Sequence, residues 1–185
     1  MKSYALLTVL FLFVGLTHDA AASQFKLESQ QLSPGQQLVA AQVYNGFGCT
    51  GKNISPDLRW KGAPAGTKSF AVTVYDPDAP TGSGWWHWLI FNIPAKTNRL
   101  VENAGNPKAH LAPAGSIQSR TDFGAPGFGG ACPPKGDPPH HYRFTVYALD
   151  TEKLPLDINA PGAMVGFYIN SHKLAEASII MTYKR

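Results

Sequence analysis

Two separated clusters of residues in this 185-residue chain have the composition of a divided ligand site. The first cluster is Asp76-Pro77-Asp78-Ala79-Pro80, followed by Trp85-Trp86-His87-Trp88. The second is the segment 132–142, which reads Cys-Pro-Pro-Lys-Gly-Asp-Pro-Pro-His-His-Tyr. Each cluster sets polar or titratable side chains beside rigid proline backbone. Because binding residues concentrate on loops held by a rigid scaffold, we predict that the two clusters meet at one site.

The side chains of these clusters suit an anionic ligand. His87 and His140 can donate N–H hydrogen bonds to an oxyanion, more strongly when protonated, and Tyr142 can donate through its hydroxyl. Asp76 would repel an anion, so its predicted role is to orient a histidine ring and raise the pKa of that imidazole. Pro133 would form a stiff wall. Taken singly, each motif favours a structural interpretation, a turn or core packing, and only the combination favours a ligand site.

The predicted strands explain how the clusters could meet. An alternating apolar run over 70–75 predicts a strand that ends at Asp76, and the run 88–93 predicts the next strand, which His87 precedes. If the two strands are antiparallel neighbours, Asp76 and His87 lie at the same end of the sheet. A further strand is predicted over 142–149, and His140 and Tyr142, two positions apart, share a face at its start.

The rest of the chain is predicted to form short strands and one helix that support the site. Apolar patterns predict strands over 25–32, 38–43, 58–60 and 178–183, and a helix over about 162–177 that begins after Pro161. The segment 101–139 is rich in glycine and proline and has little periodicity. A loop of this length in a compact domain is either functional or a sign that an element has been wrongly assigned, and we favour a functional loop because the segment leads into Pro133-Pro134.

The N-terminal residues have the pattern of a secretory signal peptide. A positive start at Lys2, an apolar run from Tyr4 to Leu16 and the small residues Ala20-Ala21-Ala22 predict a signal peptide over residues 1–22 and one domain over 23–185. The alternative is a buried N-terminal helix. Export predicts a periplasmic protein, with extracellular release left open, and the apolar run is too short for a stable membrane span.

Composition narrows the class of protein further. With 44% hydrophobic and 15% charged residues the chain should fold around a core, and its net charge of +4 comes from scattered lysine and arginine, a pattern that does not indicate nucleic-acid binding. The two cysteines of an exported chain usually pair, so we predict a disulfide between Cys49 and Cys132, with two free buried thiols as the alternative. There is no CxxC motif or paired-histidine helix pattern, and we predict no metal and no cofactor.

Together these motifs resemble those of the phosphatidylethanolamine-binding protein family, and more closely its bacterial Raf kinase inhibitor-like branch. The resemblance rests on the two clusters and on the flanking segments 53–60 and 127–134. It implies an all-β-dominated fold, a β-sandwich of two antiparallel sheets with a few peripheral helices. It also implies a small pocket for phosphate-like groups and self-association as a homodimer. The pocket residues that it implies are Asp76, His87, Pro133, His140 and Tyr142, with Asp78 nearby.

Two positions depart from the eukaryotic members of that family. Cys132 stands where they commonly have glycine, and His141 stands where they commonly have arginine, which places any role built on that arginine in doubt. The chain is also predicted to end in a strand, without the C-terminal helix of the eukaryotic branch.

Three functions remain open from the sequence. The leading hypothesis is a non-catalytic binding or modulatory protein for a small anion, either phosphate or a phospholipid headgroup. The second is a hydrolase of a phosphate or acyl ester, although no G-x-S-x-G or HExxH motif is present. The third is a secreted inhibitor or effector that acts on another protein through its surface.

Overall fold

The protein is built mainly from antiparallel strands. The computed structural model describes residues 24–185, so the predicted signal peptide over 1–22 lies outside the described residues. The elements are β1 Lys26–Glu28, β2 Asn45–Gly46, β3 Cys49–Thr50, β4 Leu58–Lys61, β5 Ser69–Asp76, β6 Trp85–Pro94, β7 Arg99–Leu100, β8 Ile117–Gln118, β9 His140–Leu149, α1 Gly162–His172 and β10 Lys173–Tyr183. Short 3-10 helices lie at Ala40–Gln42 and Pro107–Ala109.

The strands form two sheets and a hairpin. The larger sheet has the order β10-β9-β5-β6-β8, the smaller has the order β1-β4-β7, and β2 pairs with β3 alone. Every pairing between these strands is antiparallel. The prediction of an all-β-dominated fold with antiparallel sheets is therefore confirmed.

Apolar side chains cover both faces of the larger sheet. Between the two sheets lies a core that includes Leu58 and Trp60 from β4 and Val72 and Val74 from β5. A second cluster lies on the opposite face, where Val165 and the rest of α1 cover β6. The strand β6 is buried on both faces from His87 to Ile93, as the run 88–93, apolar apart from Asn92, predicts.

Three of the predicted elements differ from the structure. The segment 38–43 is not a strand. It contains a 3-10 turn, and its backbone bonds instead to distant segments, as when Leu38 N–H donates to the Thr182 carbonyl. The strand over 25–32 is reduced to Lys26–Glu28, the part that pairs with β4.

The third difference is the end of the helix. The prediction of a helix to 177 follows the helix-favouring residues of that segment, yet α1 ends at His172 and β10 begins at Lys173. Residues 173–183 pair along nearly the whole of β9, which satisfies backbone groups that would otherwise form an open sheet edge. Tertiary pairing therefore outweighs local helix propensity there.

Among residues 24–185, no helix has the length and apolar character needed to cross a bilayer.

Candidate functional site

A bulge in β6 places His87 at the site. In the ladder between β5 and β6, Val74 pairs with Trp88 and Tyr75 pairs with Trp86, so that His87 is the extra residue of the longer strand. Such a bulge bends the strand and redirects the side chain that it carries. The His87 ring consequently lies against the Tyr142 ring of β9, with 5.1 Å between the ring centroids. His87 is only 3% exposed.

Asp76 holds His140 in a buried ion pair at the end of the sheet. Its Oδ2 accepts a hydrogen bond from His140 Nδ1 at 2.8 Å, and its Oδ1 accepts from the Asp78 backbone N–H at 2.9 Å. On the other side of the ring, His140 Nε2 lies 3.3 Å from Asp137 Oδ2. Both nitrogens of His140 therefore face carboxylates.

This double contact favours the charged form of His140. Burial by itself lowers the pKa of the imidazole, but the hydrogen bonds and negative charges of Asp76 and then Asp137 outweigh it and raise the pKa above its ordinary value. The predicted role of Asp76, to orient a histidine and raise its pKa, is thus the geometry seen at His140 rather than at His87.

His87 has a different hydrogen-bond partner, and its pKa shifts in the opposite direction. Its Nδ1 lies 2.8 Å from the Gly129 carbonyl oxygen, and the Gly129 N–H donates back to the His87 carbonyl at 2.8 Å. Because a carbonyl oxygen can only accept, Nδ1 carries the proton and Nε2 of the neutral ring is left as an acceptor. Burial lowers the pKa of His87, and the Gly129 hydrogen bond and the charges of Asp76 and Asp122 oppose that effect only in part.

Two buried donors at the site make no hydrogen bond of good geometry within residues 24–185. They are the Tyr142 hydroxyl and the Trp85 Nε1. Burial, followed by the negative charge of Asp76 and the closeness of its carboxylate to the hydroxyl, raises the pKa of Tyr142, so the hydroxyl keeps its proton at ordinary pH. An orphaned buried donor destabilises a fold unless a ligand or water satisfies it.

These side chains border a cavity of about 210 Å³. Its polar members lie at the sheet end, and its walls are mostly aromatic and proline rings. The lining residues are Phe47, Asp76, Ala79, Pro80, Thr81, Trp85, His87, Phe123, Cys132, Pro133, Pro134, His140 and Tyr142.

The rim of the cavity is crosslinked. Cys49 and Cys132 form a disulfide, which confirms the predicted pairing and ties the β2–β3 hairpin to the second cluster. Arg185 adds a second clamp, since its Nε donates to the Pro133 carbonyl at 2.6 Å and its guanidinium also reaches the Phe47 carbonyl at 3.4 Å. The hairpin, the proline wall and the C-terminus are thereby joined.

The structure brings together five of the six predicted site residues, namely Asp76, His87, Pro133, His140 and Tyr142. Asp78 does not line the cavity. Its Oδ2 instead accepts from the His141 backbone N–H at 2.7 Å and from His141 Nδ1 at 2.8 Å, which braces the start of β9. Partial burial acts to raise the pKa of Asp78, but the two hydrogen bonds from His141 and the charge of its ring together outweigh burial and lower the pKa.

Sequence reasoning missed several residues at the site, and Phe47, Phe123 and Asp137 are the ones that matter most for its chemistry. Phe47 lies between two glycines, Gly46 and Gly48, a tight-turn signal that could have marked it as a loop tip. Phe123 lies in the long segment 101–139, which was predicted to be functional only as a whole. Asp137 was within the second cluster, but no spacing rule indicates that it contacts His140.

Comparison with known proteins shows the family of the chain. Residues 28–184 match the phosphatidylethanolamine-binding protein family. The chain belongs to that family. It is 53% identical over 184 residues to the UPF0098 protein YbcL of Escherichia coli strain K12, covering 100% of this chain and 99% of that relative. It is 54% identical over 154 residues to the UPF0098 protein YbhB of the same organism, covering 83% of this chain and 96% of YbhB.

Solved structures share the fold. The crystal structure of Escherichia coli YbcL, described as a new member of the mammalian phosphatidylethanolamine-binding protein family, superposes with a TM-score of 0.86 at 56% identity, over 87% of this chain and 98% of that one. A Chlamydia trachomatis homologue gives a TM-score of 0.71 at 27% identity, over 87% of this chain and 97% of that one. The bacterial branch of the family, predicted from the motifs, is thereby supported.

Proposed function

We propose that this protein is an exported, non-catalytic binding protein whose cavity takes a small anion, a phosphate-like or carboxylate group. The observation that carries the proposal is the buried Trp85 Nε1, a donor without a hydrogen-bond partner in residues 24–185, with the Tyr142 hydroxyl at the same cavity. An indole N–H can only donate, so the missing partner is an acceptor, and anion oxygens are the strongest acceptors. The family description, which names a phospholipid with a phosphate headgroup, points the same way.

The charge of His140 supports the same ligand class. Its raised pKa keeps a cation beside the cavity, but Nε2 already faces Asp137 at 3.3 Å. Asp137 is the weaker of the two carboxylate partners and its side chain is 35% exposed, whereas Asp76 is buried. An incoming anion would therefore displace Asp137 and take its place on Nε2.

His87 couples binding to proton uptake. In the free protein its pKa is lowered, its ring is neutral and Nε2 carries no hydrogen. An anion at Nε2 requires a proton there, since two lone pairs repel. Anion affinity should therefore rise as the pH falls through the interval between the pKa of His87 in the complex, which the anion raises, and its lowered pKa in the free protein.

Isothermal titration calorimetry with sulfate tests this proposal, because sulfate does not titrate near neutral pH. We expect wild-type affinity to be higher at about pH 6 than at about pH 8. His87→Gln should lose most of that pH dependence. Loss of one charge-assisted donor in His87→Gln or His140→Gln should weaken binding by roughly ten- to a hundredfold. Asp137→Asn should strengthen binding, because it removes the competing charge.

The matched control is His110→Asn. His110 is exposed, lies outside the cavity lining and has a left-handed backbone that asparagine also adopts, so sulfate binding should not change. Thermal unfolding of each variant separates loss of binding from loss of fold. Equal sulfate affinity in wild type, His87→Gln and His140→Gln would refute the proposal.

Hydrolysis of an ester is the second candidate function, and one observation favours it. A neutral histidine with a fixed tautomer and a free Nε2 at a cavity is the arrangement of a general base that activates water. Turnover of 4-nitrophenyl phosphate or acetate that disappears in His87→Gln would support this function. Absence of turnover in wild type would leave the binding function alone.

Export and self-association complete the proposal. Cleavage near residue 22 would deliver the domain to the periplasm, where the Cys49–Cys132 disulfide can form and persist. N-terminal sequencing of periplasmic protein tests the cleavage position. The homodimer stays a prediction, to be checked by sedimentation at micromolar concentrations. Action on another protein through the surface likewise stays open.

A further inference from the structure

The hairpin of β2 and β3 presents an aromatic ring at the mouth of the cavity in an unusual way. Gly46 pairs with Cys49, so Phe47 and Gly48 form a two-residue turn in which both φ angles are positive, 51° and 77°. Turns of this kind favour Asn-Gly, and bulky residues rarely adopt a left-handed backbone. Phe47 is also 66% exposed although it is wholly apolar.

The Phe47 ring is the outermost member of a row of rings that leads to the polar end of the cavity. It stacks on Phe123 at 5.8 Å between centroids, with the planes 25° apart. Phe123 in turn meets Trp85 edge-on at 5.4 Å and His87 edge-on at 5.3 Å. Tyr44 supports Phe123 from behind at 4.3 Å. We call Phe47, Phe123 and Trp85 the aromatic wall.

The turn is held in place by contacts on both sides. The Cys49–Cys132 disulfide ties the hairpin to the opposite rim, and Arg185 reaches the Phe47 carbonyl at 3.4 Å. A ring that is exposed, conformationally disfavoured and anchored at a cavity mouth is a candidate for ligand contact.

The volume of the cavity and the chemistry of its walls restrict the class of ligand. The cavity of about 210 Å³ is smaller than the roughly 300–1,000 Å³ of typical drug-sized sites. It can take an anionic group at the polar end and about one ring beside the aromatic wall. Rings pair with other rings in stacked or edge-on contacts at about 4.5–7 Å between centroids, which an alkyl group cannot reproduce.

We propose that the aromatic wall selects anions that carry a planar unsaturated ring, an aryl phosphate or aryl carboxylate, and that Phe47 stacks against that ring. This inference rests on the anion site proposed above. In this proposal Phe47 determines which substituent the ligand can carry. The residues at the polar end of the cavity bind the anionic group of the ligand regardless of that substituent.

Calorimetry with methyl phosphate, cyclohexyl phosphate and phenyl phosphate tests the inference. Wild-type protein should bind phenyl phosphate about tenfold more tightly than methyl phosphate, with cyclohexyl phosphate between them. Phe47→Asn should weaken phenyl phosphate binding by roughly three- to tenfold and leave methyl phosphate within about twofold of wild type. Asparagine is the residue that this turn prefers, so the variant should fold at least as well as wild type.

Phe167→Ala is the matched control. Phe167 is another phenylalanine with 67% exposure, it lies on α1, and it does not line the cavity, so its loss should change neither affinity. If wild type binds none of the phosphates, the proposed function itself fails. Equal affinity for methyl and phenyl phosphate would overturn only the inference. An equal loss of both ligands in Phe47→Asn would also overturn it, because Phe47 would then act on the site as a whole.

Discussion

Two aspartate–histidine pairs near the cavity have the same length and very different burial. Asp76–His140 and Asp78–His141 each join an aspartate Oδ2 to a histidine Nδ1 at 2.8 Å. The aspartate and histidine side chains are 3% and 4% exposed in the first pair, and 41% and 55% exposed in the second. Replacing each aspartate by asparagine isolates the contribution of burial.

Asp76→Asn should be strongly destabilising. The new amide has one acceptor oxygen, but two donors converge on Asp76: the Asp78 N–H and His140 Nδ1–H. One donor is left unpaired next to an NH₂ group, and the buried imidazolium loses its counter-charge. Breaking a buried pair of this kind costs about 3–5 kcal/mol of unfolding free energy. Asp78→Asn removes an exposed pair, and pairs of that kind contribute at most about 1 kcal/mol.

The pH dependence of the Asp76→Asn effect has a definite sign. The pKa of His140 is raised in the folded protein, so its contribution to stability is complete below the unfolded value of about 6.5 and is lost as the pH rises through the folded pKa. The difference between wild type and Asp76→Asn should therefore be largest near pH 6 and smaller near pH 9. The contribution of Asp78, whose pKa is lowered, is lost only under acidic conditions, as the pH falls below about 4.

Urea unfolding of both variants and wild type at the two pH values, with the disulfide intact, measures these quantities. Nuclear magnetic resonance titration of the His140 ring should show its pKa drop in Asp76→Asn. Similar destabilisation by the two variants, or a cost of Asp76→Asn that grows with pH, would refute the reasoning.

Two further predictions concern the supports of the site. The Asn53 side chain accepts from the Gly130 N–H at 2.7 Å and donates to the Phe128 carbonyl at 3.1 Å. Asn53→Gly should therefore lower the unfolding free energy by about 1–3 kcal/mol. It should also weaken sulfate binding, because it loosens the segment that carries the Gly129 carbonyl, the hydrogen-bond acceptor of His87. The control is Asn103→Gly, because Asn103 has the same left-handed backbone and its side chain makes no hydrogen bond within residues 24–185. Equal effects of the two variants in urea unfolding would contradict the role of Asn53. Replacing Cys49 and Cys132 together by alanine should lower the unfolding free energy by about 4 kcal/mol, and an unchanged urea midpoint would contradict that value.

The sequence predicts the frame well where the hydrophobic pattern and the pairing agree. The runs 70–75, 88–93 and 142–149 become β5, β6 and β9, the three strands that carry Asp76, His87 and His140 to the cavity. The helix end at His172 was missed because segment 173–177 is helix-prone locally, and only pairing with β9 makes it a strand.

The hydrogen-bond partners of His87 and His140 could not be predicted from the spacing of residues in the sequence. The bulge at His87 depends on how β5 and β6 align, and a single extra residue decides which way the ring points. Likewise, the histidine that Asp76 contacts depends on the pairing of β9 with β5, which brings His140 to the Asp76 carboxylate. Sequence reasoning therefore proposed that an aspartate orients a histidine, but it could not decide between His87 and His140.

The difference between the two hydrogen-bond partners explains why one site can contain two histidines with distinct roles. A carboxylate partner stabilises the imidazolium, so Asp76 favours the charged form of His140 before any ligand binds. A carbonyl partner fixes the tautomer without supplying a full counter-charge, and burial then keeps His87 neutral. On the proposed function, His140 supplies a standing positive charge and His87 takes up a proton only when an anion is present. Giving both histidines the same kind of partner would abolish this division, because two carboxylate partners would produce two cations that repel each other across the cavity, whereas two carbonyl partners would leave two neutral rings that offer an anion no charge.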